Sequence, residues 1–391
     1  MRPLVLTATT VVSAIGCGSA ATLDALRLRR GGLRPCDFAN VTDGYIGRVQ
    51  GVETHALPSV LACFDCRNNR LADLALRTDG FADAVAAARD RYGAGRIAVI
   101  LGTSTSGVLS TEEAYRARDP GTGTLPASFD YSHTHEMFSL AHFVRGALQL
   151  RGPAMVISTA CASSAQTFID ACHLIECGEC DAAVVGGADS LCGMTLRGFA
   201  SLELISPVPC RPCDADRAGI SIGEAAGFAL LEPAGDGIAL LGYGASCDGY
   251  HMSAPHPRGA GAIAAMQAAL AASGLEPADI DYVNLHGTGT RANDAMEDQA
   301  IAAVLGNATP CSSTKGWTGH TLGASGILEV VIGELCIRHG LLPGCLNVTR
   351  LDPGFRSRVI LHNEDRPLRI VMSNAFGFGG INCSLVFGAA R

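Results

Sequence analysis

An α/β protein of two similar halves, with mixed or parallel sheets covered on both faces, is the fold class this sequence predicts. Three observations predict it. Short apolar runs alternate with alanine-rich helical stretches along the whole chain, the pattern of strands separated by covering helices. Apolar residues make up 48% and charged residues 17%, with 47 glycines, which describes a buried, tightly turned chain rather than a disordered one. A strand, a small-residue turn and a helix succeed one another twice, in "VISTACASSAQTF" at 156–168 and "CSSTKGWTGHTLGASGILEVV" at 311–331, a weak internal duplication. At 391 residues the chain has room for two domain-sized units.

The opening "MRPLVLTATTVVSAIGCG" has the look of a secretory leader, but its threonines and single arginine read better as a buried first strand entering a glycine turn. "FADAVAAARDRYG" is the first clear helix, and after it come the strands "RIAVILGTS" and "AMVISTA". "SSAQTFIDACHLIECG" is a helix, and "DAAVVGGAD" and "GFALLE" are strands. "EPAGDG", at 232–237, is a Pro/Gly turn with a change of charge, and it divides the chain into 1–236 and 237–391. Beyond it come the strand "IALLGYGAS", the helix "GAIAAMQAALAASG" and the strands "DYVNLHG", "RIVMSNAF" and "CSLVFG".

Composition also excludes functions. Net charge is 29 − 37 = −8, so no global basic field invites nucleic acid or an anionic membrane. No stretch reaches 18 uninterrupted apolar residues, so no membrane-spanning helix is expected. Without a convincing export signal the sixteen cysteines are expected reduced, in a cytoplasmic protein. Three CxxC pairs, Cys63/Cys66, Cys177/Cys180 and Cys210/Cys213, have a zinc-ligand spacing. They are irregularly placed in different elements, so they read as small core residues instead.

Chemistry gathers around Cys161, which ends an apolar strand among small residues and immediately begins a helix. A buried structural cysteine would satisfy that position, but so would a nucleophile whose sulfur feels the helix N-terminus. "VNLHGTGT" places His286 at a strand end, and "TKGWTGHTLGASG" places His320 just before a helix. Either histidine alone reads as structural. Together, at strand ends and turns, they read as a site. Lys315 lies five residues before His320, Glu297 lies eleven after His286, and "SNAFGFGGINCSLVFG" adds a glycine loop able to approach a ligand closely.

"TACASSA", "HGTGT" with its downstream acid, "TKGWTGHTLGASG" and "NAFGFGG" together resemble the β-ketoacyl-acyl-carrier-protein synthases, and the resemblance covers essentially the whole chain. It implies the thiolase fold, two duplicated α/β halves in a five-layered αβαβα arrangement, usually dimeric. It also implies a decarboxylative condensation of malonyl-carrier protein with an acyl chain held on Cys161. His286 and His320 would stabilise the enolate, and the amides of Cys161 and Phe378 would form the oxyanion hole. Lys315 and Glu297 would pair beside the histidines, Thr288 and Thr290 would hold the phosphopantetheine arm, and Phe376, Gly377 and Gly379 would line the substrate, with Phe378 as gate. No cofactor of the enzyme's own is implied, because phosphopantetheine arrives on the carrier. Asn284, Glu329, Ser373 and Asn374 match positions around a structural monovalent ion in some relatives. Arg67, Arg70, Arg116 and Arg118 fall near the carrier-docking region.

Two segments depart from the family pattern. "CDADRAGISIGEAAG" has Ala218 and Ile220 at its variable places, and "LGTSTSGVLS" differs from the housekeeping loop. They raise a specialised polyene, pigment or polyketide pathway beside fatty-acid elongation. A non-catalytic chain-length subunit would lack the nucleophile, a degradative thiolase would add a second catalytic cysteine, and the priming branch would carry asparagine for the second histidine. Cys161 and His320 disfavour all three. The partner expected is a carrier protein, together with a second copy or a related ketosynthase-like subunit.

Overall fold

The computed structural model describes residues 3–389, so Met1 and Arg2 of the opening run lie outside the described residues. Ten strands carry the architecture. In the first half these are β1 (Leu4–Ser13), β2 (Ile97–Gly102), β3 (Ala154–Ile157), β4 (Ala182–Asp189) and β5 (Ala225–Glu232). In the second they are β6 (Ile238–Cys247), β7 (Tyr282–Asn284), β8 (Pro310–Ser312), β9 (Ile370–Phe376) and β10 (Ile381–Ala389). Their spatial order is 3-2-4-5-1 in one half and 8-7-9-10-6 in the other, the same order twice. The hydrogen-bond senses repeat too. The first two pairings of each set are parallel and the last two antiparallel.

Because side chains alternate across a strand, each sheet feeds two cores. Ile97, Val99 and Leu101 face an outer layer with α1 (Arg67–Leu76), α2 (Phe81–Tyr92) and α3 (Ser139–Ala147), whereas Ala98 and Ile100 face the centre. The centre holds α4 (Ser163–Glu176), with Phe168, Ile169 and Cys172, and the later helix Ser325–His339, with Ile327, Val330 and Val331. Tyr282, Val371, Leu385 and Phe387 of the second sheet close this core from the other side. Beyond that sheet, α5 (Ala260–Ser273) and α6 (Arg291–Val304) pack on Val283, Met372 and Val386. The layers are therefore αβαβα.

The two sheets also join edge to edge, β1 against β6, with Leu4 opposite Leu240 and Leu6 opposite Ile238. The turn at 233–237 thus links β5 to β6 without separating two bodies. The central helix Ser325–His339, here α7, is buried on every side from Ser325 to Cys336, as a helix between two sheets must be. It crosses α4 at small residues. A Cβ on Gly326 would lie 2.6 Å from the Ala165 amide nitrogen, and Ser164 Oγ accepts the Ile327 N–H at 3.0 Å. This close crossing sets the starts of the two helices side by side. The strand expected over "DYVNLHG" stops at Asn284, which leaves His286 in the loop beyond it.

Candidate active site

Cys161 sits in a single tight turn, Ala160–Ala162, between β3 and α4. Ala160 has φ of 50°, a left-handed conformation rare outside glycine, and it throws the next side chain out of the strand direction. Ser163 Oγ closes the turn, accepting from the Thr159 N–H at 3.0 Å and donating to the Ala160 carbonyl at 2.5 Å. The second half repeats the device. Leu322, with φ of 52°, opens the turn Leu322–Ala324 ahead of α7, and His320 stands just before it. The duplication seen in the sequence is this pair of turns.

The pseudo-symmetric turns bring the sulfur and the imidazoles together. His320 Nε2 is 3.0 Å from Cys161 Sγ, and its Nδ1 is 3.0 Å from Ser325 Oγ. The rings of His286 and His320 are 5.3 Å apart and nearly perpendicular. Among the described residues these three form the one close group of possible metal-ligand atoms, all within 4.8 Å, and all three residues are buried. Gly377 touches the cysteine turn so closely that a Cβ there would lie 2.6 Å from the Thr159 carbonyl oxygen. That approach aims the Phe378 N–H at the Cys161 sulfur.

Burial governs the charge states. It pushes the Cys161 thiol up to about 11, against the opposing pull of Lys315 and of the Phe378 amide. The resting form is therefore the neutral thiol, not the free thiolate that the helix terminus alone suggests. Burial, reinforced by Lys315, holds both imidazoles well below their usual value, so they are neutral. A neutral His320 can take the thiol proton, and neutral imidazoles can donate an N–H to an oxygen that gains charge.

The expected Lys315–Glu297 pair is not formed. Lys315 Nζ instead pairs with Glu329 of α7, both fully buried. Glu297 takes the backbone N–H groups of His286 and Gly287, each at 2.8 Å, and so holds the loop that carries the imidazole. Burial raises both carboxyls to about 7. Of the four ion-site candidates, Asn374 is occupied by Glu297 and Ser384. Asn284 Oδ1 and Glu329 Oε2 are buried and without a hydrogen-bond partner, and such oxygens suit a small cation; the equally unpartnered Asn284 Nδ2 is a donor and does not. Ser373 is buried on β9, and no bond of its side chain points to a site.

A cavity of about 490 Å³ opens above the sulfur. Cys161, His286 and His320 form its floor, and Thr288, Thr290, Phe376, Gly377 and Phe378 line it with Ala218 and Ile220. Thr288 and Thr290 join their hydroxyls at 3.0 Å. The Phe378 ring leans on Phe199, 5.7 Å between centroids. Gly379, at φ of 85°, turns the glycine loop, and its N–H is held by the Met252 carbonyl.

The four docking arginines fare differently. Arg67 is buried, with Glu224 at 2.9 and 2.6 Å and Glu53 at 2.8 Å, so it is a structural cation and no docking residue. Arg70 is tied to Asp65 and Arg116 to Glu112, while Arg118 is exposed without an ion pair among the described residues. Sequence reasoning also missed Asp189. This fully buried carboxylate at the end of β4 accepts from Thr103, the Ser104 and Thr105 amides, and the Gly323 amide at 2.6 Å. It thereby binds the loop after β2 to the turn behind His320. A lone aspartate in "GGAD" carries no spacing that would announce this.

Known proteins share this organisation. Residues 70–236 match the β-ketoacyl synthase N-terminal domain and residues 238–349 its C-terminal domain. The 3-oxoacyl-[acyl-carrier-protein] synthase 2 of Rhizobium meliloti is 31% identical, with 99% of this chain and 98% of the relative covered. Nodulation protein E of Rhizobium sp. is 34% identical over 76% of this chain and 77% of its own length. Among solved structures, a chain of the complex between the ketosynthase ApeO and its chain length factor ApeC from Xenorhabdus doucetiae superposes with a TM-score of 0.92 at 40% identity, over 100% of this chain and 98% of that one. The ishigamide ketosynthase/chain length factor gives 0.90 at 29% identity, with both chains fully covered. With its duplicated halves and its cysteine beneath two histidines, the chain belongs to the β-ketoacyl synthase family.

Proposed function

We propose that this β-ketoacyl-acyl-carrier-protein synthase loads an acyl chain onto Cys161 and extends it by decarboxylative condensation with malonyl-carrier protein. The observation that carries the reading is the convergence of His320 Nε2 on Cys161 Sγ at 3.0 Å, with the His286 ring 5.3 Å from that of His320. Cys161 attacks the acyl thioester as His320 accepts its proton, and the Cys161 and Phe378 amides receive the oxyanion. The carrier thiol leaves with a proton. Malonyl-carrier protein then enters, and the two imidazoles donate to its thioester oxygen while carbon dioxide departs. The resulting enolate attacks the acyl-cysteine, expels the Cys161 sulfur and gives a β-ketoacyl thioester two carbons longer. Lys315 supports the neutral state of both imidazoles by its charge, and Glu297 positions His286. A monovalent cation at Asn284 and Glu329 belongs to the same proposal, in a structural part.

The same reading makes the chain a catalytic subunit in a specialised pathway, paired with a related chain-length subunit. The likeness to a chain of a complex between a ketosynthase and its chain length factor supports the pairing, and Ala218 and Ile220 on the cavity wall support a substrate other than the housekeeping one. An intact nucleophile and both histidines weigh against a role as the chain-length subunit itself. Incubation with a panel of acyl-carrier proteins should give an intact-mass shift on the wild type, and none on Cys161→Ala. Persistent acylation of that variant would remove Cys161 from the mechanism.

A further inference from the structure

The cavity above Cys161 has two arginines on its wall, Arg217 and Arg291. Arg217 is fully engaged. It is buried, its Nη1 lies 2.6 Å from Asp352, its Nε lies 3.6 Å from Asp294, and it also donates to the carbonyls of Asp214, Thr290 and Arg291. Arg291 differs. It is exposed, and among the described residues no carboxylate lies within 4.0 Å of its guanidinium. Its backbone is fixed nonetheless, because Arg217 Nη2 grips its carbonyl at 3.2 Å.

His286, Thr288, Thr290 and Arg291 all stand on the cavity wall and succeed one another in a single stretch of chain. From His286 to Arg291 is five residues, at most about 18 Å of backbone. The positive φ of Gly287 and Gly289 shortens that reach. The buried end carries the sulfur and the imidazoles, the middle carries two hydroxyls, and the exposed end carries one unpaired cation. A pantetheine thioester presents matching groups in the same order: a thioester, then two amides, then an anion where the arm is phosphorylated. A malonyl carboxylate cannot be that anion, because it must lie at the histidine end to be lost.

We propose that Arg291 binds the phosphate of the phosphopantetheine arm and makes the enzyme selective for phosphorylated over unphosphorylated pantetheine thioesters. The proposal rests on the carrier-dependent condensation set out above. A guanidinium can hold a phosphate through two parallel N–H bonds, whereas an ammonium offers only a point charge. Exposure to solvent limits the gain to about tenfold.

Turnover should be compared with malonyl-pantetheine, malonyl-phosphopantetheine and malonyl-carrier protein as extenders. Wild type should show a KM about tenfold lower for phosphopantetheine than for pantetheine, an advantage that shrinks in high salt. Arg291→Ala should lose that advantage with both phosphorylated extenders and keep its pantetheine turnover, and Arg291→Lys should retain part of it. Equal loss with pantetheine would overturn the proposal, because the residue would then be serving the fold or the chemistry. Loss with the carrier alone would overturn it too, since Arg291 would be reading the protein rather than the phosphate. Pantetheine turnover by wild type reports on the condensation itself, so a failure of that reaction is separable from a failure of this assignment.

Discussion

Cys161 illustrates how a residue's chemistry depends on the groups that bury it. With its thiol pushed up to about 11, on the order of one molecule in ten thousand is thiolate at pH 7. An acid with a raised pKa gains its reactive anion only as pH rises. Peptide-mapped alkylation by iodoacetamide should label the exposed Cys17, Cys63, Cys177 and Cys247 before Cys161 at pH 7. Labelling of Cys161 should then climb steeply toward pH 10, and His320→Ala should slow it further by removing the proton acceptor. Labelling of Cys161 at pH 7 as fast as Cys63 would refute the neutral resting thiol. The three central residues were legible because each stands in its own local signature of strand end, small residues and helix start. The Lys315–Glu329 pair was not, because its partners lie fourteen residues apart and nothing local links them. Arg67 misled for a different reason. The resemblance puts it near the carrier-docking region, but the fold turns that arginine inward onto Glu224.

Among the elements, the turns matter more than the regular segments. Periodicity predicted the main strands and helices well, since each sheet strand alternates between two cores and the covering helices are alanine-rich. It overran β7, which ends at Asn284 although the buried Leu285 N–H still bonds the Ser312 carbonyl of β8 at 2.8 Å. It gave no sign of Ala160 or Leu322 in left-handed conformations, because neither residue type prefers them. These two strained turns are tolerated because each runs directly into a helix, and α4 and α7 are locked together at Gly326 and Ala165. The glycine loop presses on the first turn from above. Gly377→Ala should therefore force the Thr159 carbonyl away from a Cβ that would otherwise sit 2.6 Å from it. The expected result is a loss of acylation rate of about two orders of magnitude, the scale for a catalytic group misplaced by about 1 Å. The far-ultraviolet circular dichroism should stay unchanged. Full activity in Gly377→Ala would show that this contact does not set the sulfur's position.

At the scale of the whole molecule, one central core belongs to both halves. Residues from the two sheets and from α4 and α7 fill it together, so the boundary at 236/237 marks a repeat rather than two independent bodies. The site inherits that union, with Cys161 from one half and both histidines from the other. The union leaves one edge unfinished. β3 is the outermost strand of the first half, and its residues Ala154 to Ile157 are apolar yet none is fully buried. Met155, 37% exposed, belongs to none of the buried cores, although its strand neighbour Ile100 faces the centre. The opposite edge is different, because β8 is covered by the short strand Arg358–Val359. An open apolar strand edge is a template for pairing, and soluble proteins usually blunt it with charge. Here no charge interrupts it, so association with a second subunit should use β3. Met155→Lys should place a charge in that seam and lower the mass measured by light scattering from dimer to monomer, in the isolated chain or with a chain-length subunit present. Because Met155 lies on the edge and outside all the cores, thermal stability of the monomer should change by less than about 0.5 kcal/mol. A variant that stays dimeric would place the interface elsewhere on the surface.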